Sequence, residues 1–156
     1  MTPVSGTTSL LLARLSDTRI GFSAHAVREI LRSVAIAPLS GAPEIIEGAI
    51  NLRGTVIPVV DVRRRFGVAA SPNSPEQFLV LLETSDRLIA VRVDDVDDVV
   101  EVSSLDVEAP GVLSPVLQGF AGVASTPDGA LVIYDADAFL TQAERDALDA
   151  GQKVSA

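Results

Sequence analysis

Short apolar runs, each cut off by turn-forming residues, set the pattern along most of the chain. Residues 9–15 (SLLLARL) and 19–22 (RIGF) flank Ser-Asp-Thr, which predicts a β-hairpin. Residues 78–83 (FLVLLE) and 87–93 (RLIAVRV) flank Thr-Ser-Asp in the same way. VVEV (99–102), GFAGVAS (119–125) and ALVIY (130–134) add further strands, with Gly and Pro falling between them. Many short strands with little helix point to small antiparallel barrels and away from a parallel sheet.

Three short helices fit the remaining pattern. Ser23 can cap a helix in which Val27, Ile30 and Leu31 share a face. Asp61 can cap the turn VRRRF, with Gly67 ending it in a left-handed conformation. Thr141-Gln-Ala-Glu144 is a capping box, followed by Ala147 and Leu148 and closed by Gly151. Residues 1–8 read as a loose tail, and 151–156 as a second one.

An internal echo divides what lies between. Leu15-Ser-Asp-Thr-Arg-Ile20 resembles Leu82-Glu-Thr-Ser-Asp-Arg-Leu88, and Val27, Ile30 and Leu31 match Val96, Val99 and Val100. Gly48 matches Gly119, and Asp61 matches Asp135, at slowly growing offsets. Such an echo predicts two similar β-rich halves, about 9–75 and 76–140, followed by the short C-terminal helix.

Composition narrows the function. A chain of 156 residues suits one domain or two intimately packed halves. Its net charge of -9 repels a phosphate backbone, and an aromatic content of 4% leaves little for base stacking. No cysteine is present, which removes thiol catalysis, disulfides and thiolate metal sites. No apolar run approaches the roughly 20 residues of a membrane span, and MTPVSGTTSL lacks the pattern of a secretory signal. The expectation is an acidic cytoplasmic protein with neither nucleic-acid binding nor direct membrane insertion.

The sequence carries no recognisable catalytic or metal-binding constellation. His25, the one histidine, sits two residues from Ser23, so the pair points to different sides of a helix. Asp94, Asp95, Asp97, Asp98 and Glu101 lack the central Gly of a calcium loop. They read instead as solvated acids on a strand whose register changes near Asp94 and Asp95. Arg63, Arg64 and Arg65 span about 200° of a helical turn, so they read as solvated, with one able to reach a carboxylate. Phosphate-loop glycine spacing is absent. No catalytic residue, metal ligand or cofactor site is expected, and the reading turns to a binding or scaffolding protein.

One long stretch is more specific. Glu47-Gly-Ala-Ile-Asn-Leu-Arg-Gly-Thr-Val-Ile-Pro-Val-Val-Asp61, followed by Val-Arg-Arg-Arg-Phe-Gly67, closely resembles the central motif of CheW-domain proteins. Val27-Arg-Glu-Ile-Leu31, Ala42-Pro43, Val93-Asp-Asp-Val96, Gly119 and Asp135 agree with that family in order, so the resemblance runs from about residue 9 to 150. Val62 stands where the family usually has Leu, and the 94–98 run is more acidic than usual.

The resemblance implies a mainly β fold of two small SH3-like five-stranded β-barrel subdomains packed together, with a few short helices. It implies a free-standing, non-catalytic coupling protein that joins the cytoplasmic tip of a chemoreceptor to the regulatory domain of the histidine kinase CheA. Ring assembly with that kinase domain, within membrane-associated receptor arrays, is part of the same expectation. Sequence leaves open whether the output is chemotaxis or another CheA-type pathway such as pilus motility.

On this reading Val27, Glu29 and Arg53 face the receptor or kinase. Gly54 places Arg53 by permitting a turn, and Glu29 is either its intramolecular partner or a receptor contact itself. Gly48, Asn51, Pro58 and Asp61 are expected to be structural, with Asn51 satisfying turn backbone and Asp61 capping a helix. An arginine after a turn also serves well as a local salt bridge, so both roles for Arg53 stay open.

Overall fold

The computed structural model describes residues 7–66, 72–103, 107–108, 120–126, 129–134 and 143–148. In chain order the strands are β1 (Thr7–Leu15), β2 (Thr18–Ser23), β3 (Val27–Arg32), β4 (Ile46–Leu52) and β5 (Thr55–Val60). Helix α1 (Val62–Phe66) precedes β6 (Phe78–Glu83), β7 (Leu88–Val93), β8 (Asp95–Ser103), β9 (Val107–Glu108), β10 (Phe120–Thr126) and β11 (Gly129–Tyr134). A second helix, α2, covers residues 143–148.

The strands form two sheets, ordered β8-β1-β2-β11-β10-β9 and β3-β6-β7-β5-β4. The mainly β, two-subdomain architecture is as the resemblance implies. Neither sheet closes into a continuous barrel ladder among the described residues. At the β4 edge of the five-stranded sheet, Ala37 in the β3–β4 connection bridges Ala49, and the two exchange backbone hydrogen bonds of 2.9 and 2.8 Å.

Strands that read as unbroken apolar runs do so because both of their faces are buried. In β1, Leu11, Ala13 and Leu15 enter a core shared by the two sheets, whereas Leu10 and Leu12 enter a second core behind the first sheet. In β6, Val80 and Leu82 join the shared core, and Leu79 and Leu81 a third core behind the other sheet. Fully burying such a side chain contributes about 1.5–3 kcal/mol, so these strands anchor the fold. Helix α2 closes the shared core with Leu148, and Arg145 bonds Asp86 at 2.7 Å.

Four expectations need correction. Residues 24–26 form a turn and 27–32 a strand, where the Ser23 cap predicts a helix. Within β3, Arg28, Ile30 and Arg32 are more exposed than the residues between them, a period of two, and β6 supplies the ladder. Second, the sheets do not divide at residue 75. The β1–β2 hairpin joins β8–β11, and β6–β7 joins β3–β5.

Third, the parity change near Asp94 is a change of sheet: β7 ends at Val93 and β8 begins at Asp95 in the other sheet. The bulge itself lies further on, where β8 spends three steps from Val96 to Val99 against two on β1. Asp97 and Asp98 there are exposed, but Asp94 is not simply solvated. Its carboxylate accepts from Ser16 N at 2.6 Å, Gln77 Nε2 at 2.9 Å and Arg63 Nη2. Arg63 is accordingly buried, and only Arg64 of the described pair is exposed. Fourth, Thr7 and Thr8 pair with Ser103 and Val102, so β1 begins inside the expected tail. Gly67, Gly119, Asp135, Thr141 and Gly151 lie outside the described residues.

Candidate functional site

The central motif builds a hairpin with a two-residue loop. Leu52 pairs with Thr55, leaving Arg53 and Gly54 as the loop, at φ 52° and 87°. Two consecutive left-handed residues make a type I′ turn, whose twist matches the flanking strands. Asn51 Oδ1 accepts from Gly54 N at 2.9 Å and so fixes the loop from its first strand. A Cβ on Gly54 would meet nothing within 4 Å, so backbone conformation, and not space, calls for glycine there. Arg53 occupies the same region of φ without glycine's freedom, a cost of about 1–3 kcal/mol that is a frequent mark of functional positions.

Other motif residues hold the hairpin's base. Gly48 lies in a β-bulge, where Ile46 and Gly48 face successive residues Val60 and Val59. A Cβ there would overlap the Ala37 carbonyl oxygen and come within 2.8 Å of Ile36 Cγ2. Glycine is what lets the β3–β4 connection lie against β4. Pro58 immediately precedes Val59 and Val60, where β5 begins its parallel pairing with β7, so its missing N–H costs no bond in that ladder. Asp61 Oδ1 accepts from Arg63 N at 3.1 Å and caps α1. Val62 is buried in the shared core.

Above this base the Arg53 guanidinium reaches Glu29 on β3. Nη1 donates to Oε1 at 3.2 Å and Nη2 to Oε2 at 2.8 Å, a bidentate pair. Since β3 and β4 are the opposite edges of their sheet, the pair spans the gap left between them. The Arg53 side chain remains 70% exposed and that of Glu29 33%. The Arg53 hydrogen bond holds the Glu29 carboxyl below the usual carboxylate range, and the same bond raises the guanidinium. A pair this wet contributes little to stability. Its geometry, in contrast, is well defined.

Beneath the pair runs a groove of about 410 Å³ with a floor of Ile57, Leu81 and Leu88. Arg28 and Glu29 form one wall, and Leu52, Arg53 and Thr55 the other. The structure thus brings Glu29 and Arg53 together over an apolar floor. Val27 is separate: it is half-buried, pairs with Leu82 and packs on the shared core. Sequence reading missed the groove floor, because Leu81 and Leu88 lie in runs that look like ordinary core. A paired Arg and Glu over apolar side chains suits recognition of a protein segment, since it offers directional donors beside buried area. Among the described residues no three His, Asp or Glu side chains gather as a metal ion requires. No helix among them is long and apolar enough to cross a membrane.

Comparison with known proteins agrees with the motif. Residues 9–144 match the family model of the CheW-like domain. The chain is 30% identical over 145 residues to "Chemotaxis protein CheW" of Rhizobium meliloti, covering 92% of this chain and 94% of the relative. It is 25% identical over 125 residues to the protein of the same name from Thermotoga maritima, covering 80% and 82%. Among solved structures, the scaffolding protein TtCheW from Thermoanaerobacter tengcongensis superposes with a TM-score of 0.75 at 28% identity, covering 85% of this chain and 91% of that one. The chain belongs to the CheW-like domain family.

Proposed function

We propose that this chain is a non-catalytic adaptor that couples a chemoreceptor to a CheA-type histidine kinase in chemotaxis signalling. The observation that carries the reading is the exposed Arg53–Glu29 pair held across an apolar groove by a left-handed turn. A recognition residue kept in a costly conformation, at a site where it stabilises little, is suited to a partner. Val27, on the same strand as Glu29 but packed on the shared core, is the third residue proposed for the partner face. The adaptor works in the cytoplasm, recruited to membrane-associated arrays by its partners, and shares rings with the kinase regulatory domain.

The test is a pull-down from purified components with the regulatory domain of a cognate CheA, with and without a receptor cytoplasmic tip. Binding of each partner, and a ternary complex when all three are present, is the expected result. Failure to bind any CheA encoded with it overturns the proposal.

A further inference from the structure

Among the described residues two short crossovers join the sheets, so covalent structure alone does not fix the angle between them. The first is residues 24–26, where Ala24 N bonds Ser9 O at 2.9 Å and Ala26 O accepts from Glu83 N at 2.8 Å. The second is Asp94 alone, between β7 and β8. A change in the angle between the sheets turns on these two links, and the second is held by a backbone bond from Asp94 N to Arg14 O at 2.9 Å. The shared apolar core resists separation of the sheets, and its close packing limits how far they turn. Directional bonds define the angle more sharply than apolar contact does.

Such bonds converge on Asp94. Its carboxylate accepts from Ser16 N in the β1–β2 turn of one sheet, and from Gln77 Nε2 and Arg63 on the side of the other. Arg63 also donates from Nη1 to Ser16 Oγ at 3.3 Å, bracing α1 directly against that turn. Ser16 holds φ 54°, outside the usual region for a serine. The chain of bonds continues inward: Gln77 Oε1 accepts from Arg92 Nη1 at 2.8 Å, and Arg92 pairs with Glu47 on β4. Residue 47 adjoins the Gly48 bulge, and β4 carries the Arg53 hairpin.

We infer that Arg63, Asp94 and Ser16 form a polar pin that fixes the angle between the two sheets, and with it the position of the Arg53 hairpin relative to the first sheet. These are positioning residues, and the inference does not depend on which partner binds. The absence of cysteine lets two spin labels be placed without background, at Val56→Cys on β5 and Ala130→Cys on β11, both exposed positions. Distances are then measured in the otherwise native chain, in Asp94→Asn and in Arg63→Lys.

The native chain is expected to give one narrow distance. In the variants the distribution should shift or at least double in width, while amide exchange in β1, β6 and β7 stays protected. An unchanged distribution in every folded variant overturns the inference, because the pair is then an ordinary buried salt bridge. Failure of both variants to fold overturns it too, since a pin that sets only an angle leaves the apolar cores standing.

Discussion

Arg92 on β7 reaches across β5 to pair with Glu47 on β4, two strands away in the same sheet, with Nη2 2.6 Å from Oε1. The arginine side chain is only 4% exposed, and Gln77 and the Pro72 carbonyl take further donors. Arg92→Ala strands a mostly buried carboxylate, and Glu47→Ala strands a buried guanidinium. Each is expected to cost about 3–5 kcal/mol, read as a lowered urea midpoint with an unchanged slope.

Arg53→Gly separates recognition from stability. Glycine adopts φ 52° freely, so relief of the turn offsets the loss of an exposed ion pair. The expected outcome is an unfolding midpoint equal to or above that of the parent, with affinity for receptor tip or kinase domain reduced at least tenfold by titration. A lowered midpoint with unchanged binding would make Arg53 a structural residue. Arg53→Ala should lose the same affinity with little change in stability.

Two glycines in one motif should fail for different reasons. Gly48→Ala drives a methyl into the Ala37 carbonyl and should cost about 1–3 kcal/mol, with faster exchange of the Ala37 and Ala49 amides. Gly54→Val has open space but a left-handed φ of 87°, which a β-branched residue resists. Its damage should be confined to the hairpin tip and to partner binding.

Acid should loosen the joint between the sheets. Burial pushes the Asp94 carboxyl up, but bonds from Arg63, the Ser16 N–H and Gln77 together outweigh it and hold it below the ordinary value. A carboxyl lowered on folding contributes stability that is complete above its unfolded pKa, near 3.9, and is lost as pH falls through the folded value. Glu29, Asp86 and Asp95 are lowered as well, so several groups share the acid limb. Urea midpoints measured from neutral pH down to about 3 should fall steeply at the acid end, and less steeply in Asp94→Asn.

The hairpins, α1 and the hairpin-forming motif were legible because each rests on neighbours in sequence: a Ser-Asp-Thr turn, an Asp cap, an Asn-Leu-Arg-Gly loop. VREILR was not. Six residues fit one turn-and-a-half of helix as well as an edge strand, and only the ladder to β6 decides between them. The triple arginine misled in the same way. Nothing local distinguishes Arg63 from Arg64; Asp94, thirty-one residues later, does so in space. Within the site, the Glu29–Arg53 pairing stood as one of two readings of the sequence, and the turn geometry that aims it came from Gly54 alone. The groove floor stayed hidden because leucines lining a surface groove and leucines in a core look alike.

The strands buried on both faces carry a liability for folding. In most sheets a one-residue slip throws apolar side chains into water and is rejected at once. In β6 and β7 a slip would merely exchange Leu and Val between two oily compartments, so hydrophobic patterning cannot tell the correct alignment from its neighbour. Discrimination falls to the β6–β7 turn, where Thr84 N donates to Arg87 O at 2.8 Å, and to the misfit of a charge: Arg92, moved by one position, would enter the shared core without Glu47. The buried ion pair thus acts as a proofreading mark on strand alignment, and its loss should show as misregistered, aggregation-prone chains even under conditions where the native state survives.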